Sequence, residues 1–247
     1  MDAQFKEYFM TRWNRYFKGY ELPICFFYTD LPLDEDAAHT VHENRCLIGN
    51  LKRVREGHAY VYDAKSPGCP GGKRYTGFIT KLRPKFEYFL SCGIPGELEG
   101  ERYKKTPELV TSLLLNNPPI DAPAKFLVFK RFDMLAEGEE PVAVIFFATA
   151  DVLSGLFTLA NYDHEDNHGV RAPMGAGCTS IIYYPLVESR SDGPRCVLGM
   201  FDVSARPCVP ANMLTFAIPM KRFRQMVANM DESFLITESW KMVWDRL

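Results

Sequence analysis

Ser66-Pro67-Gly68-Cys69-Pro70-Gly71-Gly72-Lys73-Arg74-Tyr75 is the stretch around which the rest of the chain is arranged. Three glycines and two prolines surround one thiol, and two cations and an aromatic ring follow. Helix and strand interiors tolerate that composition poorly, so it reads as a loop whose shape its residues dictate. Glycines let backbone N–H groups turn toward one point, and the Lys73/Arg74 pair favours an anion there. An electropositive loop also draws a cysteine toward thiolate, the form that attacks or ligates metal. The alternative is a tight turn around a buried, inert cysteine. A second stretch, Met174-Gly175-Ala176-Gly177-Cys178-Thr179, repeats the device of a Gly-Cys among small residues.

What flanks the two loops sets the fold class. Before the first come an apolar run of strand type at 22–28, a helix over about 43–56 carrying Cys46 near its start, and a strand at 58–62. Before the second come strands at 126–132 and 142–147 and a helix capped by Thr149 or Asp151. A strand is expected after it, at 180–187. Both halves run apolar strand, helix, Gly-Cys loop, which suggests one domain over 1–247 built of two diverged pseudo-repeats, about 20–118 and 119–230. Asp2 caps an amphipathic helix over 2–17 with Phe5, Tyr8, Phe9, Trp13, Tyr16 and Phe17 at helical spacing. Thr106-Pro107 opens another helix, and further strands are expected at 197–201 and 214–218. Pro219 and Thr237 start the last two helices. Strands intermixed with helices make the class α+β, a mixed sheet with flanking helices.

At 247 residues the chain is long enough for a substantial core, and 47% apolar with 24% charged residues is ordinary for a globular protein. A net charge of −2 lacks the basic excess of a nucleic-acid binder. No run has the length of a membrane span, and the first residues lack the pattern of a secretion signal. The seven cysteines, at 25, 46, 69, 92, 178, 196 and 208, form no CxxC pair. Reduced thiols in a cytoplasmic protein are therefore expected rather than a disulfide framework.

Other motifs are weaker. His164-Glu165-Asp166-Asn167-His168 fits H-E-x-x-H, but it lies among turn formers with no apolar face to bury, so a solvated loop is expected. Gly71-Gly72-Lys73 lacks the earlier glycine and the following Ser/Thr of a phosphate-binding loop. Neither the Gly-x-Gly-x-x-Gly nor the Gly-x-Ser-x-Gly pattern occurs. His39, His42 and His58 are available to partner Cys69, and spacing selects none. Asp202 and Arg206 close a predicted strand, either as an internal pair or as an arginine fork for a carboxylate or phosphate.

The chain resembles the uncharacterised cysteine-rich proteins grouped as domain of unknown function 169, found in archaea and anaerobic bacteria. The resemblance runs from about 23 to 229 and rests on Arg45-Cys46, Cys69-Pro70-Gly71-Gly72, Gly177-Cys178, Gly199 and Ala217-Ile218-Pro219. Met200 stands where such proteins often carry another cysteine, so a fourth thiolate would have to come from elsewhere, with Cys92 available. The resemblance implies no particular reaction.

Three functional readings follow. In the first, a small anionic molecule binds among Gly71, Gly72, Lys73, Arg74, Tyr75, Gly177, Thr179, Asp202 and Arg206. In the second, Cys46, Cys69 and Cys178, with Cys92, hold an iron–sulfur cluster or other soft metal. In the third, Cys69 is the nucleophile of a thiol enzyme. Nucleic acid and membrane are not expected partners, and the oligomeric state is left open.

Overall fold

The computed structural model describes residues 1–31 and 44–247. His39, His42 and the expected helix start at 43 lie outside them. The described elements are α1 (Ala3–Phe17), β1 (Ile24–Thr29), α2 (Leu47–Arg55), β2 (Tyr60–Asp63), α3 (Pro70–Tyr75), α4 (Phe86–Phe89), α5 (Pro107–Asn116), β3 (Phe126–Arg131), β4 (Ala143–Ala148) and α6 (Ala150–Leu159). There follow β5 (Val170–Arg171), a π-helical segment (Thr179–Tyr183) running into α7 (Tyr184–Glu188), β6 (Cys196–Gly199), β7 (Leu214–Pro219), α8 (Met220–Asn229) and α9 (Glu238–Trp244).

Among the described residues, seven strands form one sheet in the order β2-β3-β1-β4-β7-β6-β5. Every pairing is antiparallel except β5 with β6, so the sheet is mixed and the fold is α+β. Strand β3, from the second half of the sequence, lies between β2 and β1 of the first.

Strand alternation sends side chains to two cores. Cys25, Phe27, Val144, Phe146, Phe216 and Ile218 face one side, covered by α1, α6, α8 and α9 through Trp13, Phe17, Leu156, Phe223 and Trp240. Gly155 permits that packing, because a Cβ there would stand 2.5 Å from the Trp240 ring and 2.9 Å from Phe17. Ile24, Phe26, Ile145, Phe147 and Ala217 face the other side, under Leu47, Ile48, Leu51, Ile181, Ile182 and Leu186. The cysteine-bearing loops lie on this second face.

Two expectations fail in instructive ways. Residues 180–187 form helix, not strand. The run is buried from Ser180 to Leu186, and a buried run of that length has no polar face from which to read a period. Helical turns start on hydroxyls, Thr179 donating to the Ala176 carbonyl and Ser180 to the Gly177 carbonyl at 2.9 Å. Gly199 lets the helix lie directly on β6, since a Cβ there would fall 2.1 Å from the Ser180 Cβ. The second failure is at 70–75, which is a short helix rather than a loop. Pro70 takes the first turn, where a missing N–H costs nothing, and Cys69 caps it.

The 164–168 stretch is an exposed to half-exposed turn, as expected. No described helix is long and apolar enough to cross a membrane.

Candidate thiol site

Cys46 and Cys69 are each the residue immediately preceding a helix, α2 and α3 respectively. Asn50 fixes the first of these turns. Its side chain is 3% exposed, accepts from the Asn44 N–H and donates to the Asn44 carbonyl, both at 2.9 Å, and also donates to the Tyr60 hydroxyl at 3.1 Å. The Cys69 N–H donates to the Arg45 carbonyl at 3.0 Å, tying the second turn to the first.

The thiols are thereby brought together. The Cys69 sulfur accepts from the Gly72 N–H at 3.2 Å. The neighbouring Cys46 thiol first of all, and then the backbone N–H groups around the sulfur, outweigh the cost of burial and push Cys69 down to about 6. Cys46, beside Cys69 and itself half-buried, is pushed well above the ordinary thiol value. Both sulfurs belong to half-buried residues, so the pair stays within reach of solutes.

Two more cysteines approach from the same face. Cys178 opens the π-helical segment and is 4% exposed; burial, then the charges of Cys69 and Asp202, keep it protonated. Gly177 makes its approach possible, because a Cβ there would lie 2.9 Å from Ala205, 3.1 Å from Ile48 and 3.3 Å from the Met200 sulfur. Cys208, in the short turn Arg206–Cys208, acts electrostatically on both Cys46 and Cys178. Cys92 is placed elsewhere, exposed in the turn after α4 with its thiol on the Gly93 carbonyl. Among the described residues, no group of three or more His, Cys, Asp or Glu side chains is gathered closely enough to hold a metal ion.

The cations expected to bind an anion are turned to the backbone. Lys73 is buried and donates to the Asp63 and Ala64 carbonyls at 2.5 and 2.9 Å, with its ammonium 4.5 Å from the Tyr62 ring centre. Arg74 donates to the Thr80 carbonyl at 2.6 Å. Arg206 donates to the Met213, Ala211 and Pro210 carbonyls. Asp202 does not pair with it. Its carboxylate instead accepts from the Gly177 N–H, the Tyr103 hydroxyl and both the N–H and hydroxyl of Ser204, at 2.8–3.0 Å. Tyr75 packs edge-on to Tyr183, and Thr179 is spent on its own turn. Cavities of about 360 and 520 Å³ lie elsewhere, the first beside Phe157 and Leu198, the second beside Asp30 and Lys125, and no cysteine lines either.

Cys208, Asn50, Tyr60 and Tyr62 belong to this site and were not singled out by sequence. For the tyrosines a signal existed: Tyr60-Val61-Tyr62 alternates, so both rings share one face of the strand that leads to Cys69.

The family model of DUF169, described as "Uncharacterised ArCR", matches residues 17–229. The chain belongs to this family. The match spans the sheet and the cysteine-bearing segments from Cys25 to Cys208, and it ends with α8. No curated protein and no solved structure matches the chain.

Proposed function

We propose that the chain acts through thiol chemistry, with Cys69 as nucleophile and Cys46 as its paired thiol. One observation carries this: the Cys69 sulfur, half-buried and reachable, accepts the Gly72 N–H at 3.2 Å and lies beside the Cys46 thiol, which holds it below the ordinary thiol value. Such an arrangement stabilises a thiolate while holding a second thiol beside it, which is what attack on an electrophile followed by thiol exchange requires. Cys178, buried and kept protonated, has no such role in the resting protein.

The two other readings draw on the same segments with less support. An iron–sulfur cluster or soft metal on Cys46, Cys69 and Cys178 requires those sulfurs to close on one point, and Cys92 stands outside their group. A small anion requires Lys73, Arg74 and Arg206 to abandon the carbonyls they now satisfy.

The test is the rate of iodoacetamide alkylation against pH, with Cys69 followed by peptide mass spectrometry. The expected result is preferential labelling of Cys69 with a midpoint near 6, moving upward in Cys46→Ala. Labelling of Cys69 only near the ordinary thiol range in both proteins would rule the reading out.

A further inference from the structure

Tyr62 is fully buried, and its hydroxyl has no hydrogen-bond partner among the described residues. A buried hydroxyl without a partner carries a desolvation cost and calls for a ligand atom or another explanation. It faces the thiol site. A Cβ on Gly68 would lie 2.4 Å from the hydroxyl oxygen, and one on Gly72 would lie 3.4 Å from it and 3.4 Å from the Cys69 sulfur. Gly72 thus stands between the two, within contact distance of sulfur on one side and hydroxyl on the other. The charge of Cys69 is felt at Tyr62, which burial first of all keeps in its protonated, donating form.

We infer that Cys69 takes an oxygen atom from a hydroperoxide, with the Tyr62 hydroxyl as the oxygen's hydrogen-bond donor and Cys46 as the thiol that displaces it. The inference rests on the reading of Cys69 as a nucleophile. The Cys69 thiolate attacks one peroxide oxygen, the S–O bond forms as the O–O bond breaks, and hydroxide (or alkoxide) leaves to take a proton from water. Sulfur is oxidised by two electrons and the peroxide reduced by two. The Cys46 sulfur then attacks the sulfenic acid, an S–S bond forms, and the departing hydroxyl leaves as water with the Cys46 proton. Tyr62 is well placed to hold the oxygen because no other group among the described residues engages its hydroxyl.

The experiment treats Cys46→Ser with hydrogen peroxide, traps sulfenic acid with dimedone, and identifies the labelled peptide by mass spectrometry. Dimedone on Cys69 in this variant, and a Cys46–Cys69 disulfide in the unaltered chain, are expected. In Tyr62→Phe the ratio of peroxide rate to iodoacetamide rate is expected to fall about ten-fold, the loss of one hydrogen bond to the reacting oxygen. Gly72→Ala, whose methyl would stand 3.4 Å from both the sulfur and the hydroxyl and so come between them, is expected to lower the same ratio, with helix content and melting temperature confirming that each variant is folded. Cys69 that alkylates readily but yields neither adduct nor disulfide would overturn the inference and leave the nucleophile standing. An undiminished ratio in Tyr62→Phe would overturn it as well. Cys69 inert to both reagents would bring down the nucleophile together with the inference.

Discussion

The Cys69 N–H meets the Arg45 carbonyl at 3.0 Å, and beside that bond the Cys46 and Cys69 thiols shift one another, Cys69 downward and Cys46 upward. Neither contact is local in sequence, so the thiol pair exists only in the folded chain and its protonation is linked to folding. In the unfolded chain both thiols titrate at the ordinary 9.0, whereas in the folded one the first proton leaves at about 6 and the second is held well above 9. Between about 6 and 9 the folded state binds fewer protons, so stability rises with pH. Above about 9 it binds more, so stability falls. Subtracting the urea midpoints of Cys69→Ser from those of the unaltered chain, at intervals from pH 5 to 10, should give a curve that peaks near 9. A flat difference would mean that the two thiols do not shift one another.

Asp202 is 5% exposed, and its carboxylate holds the Gly177 N–H, Tyr103 and Ser204 at once. Asp202→Ala should therefore destabilise by roughly 2–4 kcal/mol, because the buried Gly177 N–H and the half-buried Tyr103 hydroxyl lose their acceptor together with Ser204. Asp202→Asn keeps part of the acceptor capacity and should cost less. Urea denaturation of the two variants checks the order. Equal losses would show that the charge, not the acceptor geometry, matters.

How much of this was legible in the chain divides along physical lines. Strands β1, β3, β4 and β7 are apolar runs bounded by turn formers, and they stand close to where the pattern puts them. The convergence of Cys46 and Cys69 was foreseeable only as a possibility, since it depends on Asn50 reaching back to Asn44 and on a backbone bond from Cys69 to Arg45. The glycines of 68–72 were read as conformational freedom, but neither Gly68, Gly71 nor Gly72 adopts positive φ. Gly68 and Gly72 are instead sites of close approach, to Tyr62 and to the Cys69 sulfur. Likewise the charges of Lys73, Arg74 and Arg206 suggested an anion, while their partners are carbonyls that only the folded chain brings into range.

Lys73 provides a direct check on that last distinction. Its ammonium caps the Asp63 and Ala64 carbonyls and lies over the Tyr62 ring, and burial lowers its pKa. Lys73→Met preserves the stem but strands both carbonyls, at a cost of about 1–3 kcal/mol. Thermal melts with and without inorganic phosphate separate a structural role from an anion-binding one. The same phosphate increment is expected in both proteins. A stabilisation by phosphate that vanishes in Lys73→Met would restore the anion site.

Asn50 is the remaining lever on the site, because it acts on the sulfurs through the backbone alone. Asn50→Ala leaves the Asn44 N–H and carbonyl and the Tyr60 hydroxyl without their common partner, and should destabilise by roughly 2–3 kcal/mol. It should also free the turn that aims Cys46, weakening its influence on Cys69 and raising the pH midpoint of Cys69 alkylation. Stability and midpoint are separate readouts, which is what makes the variant informative. A protein that loses stability but keeps its alkylation midpoint would show that the thiol pair is held by the Cys69–Arg45 backbone bond, with Asn50 serving the core alone.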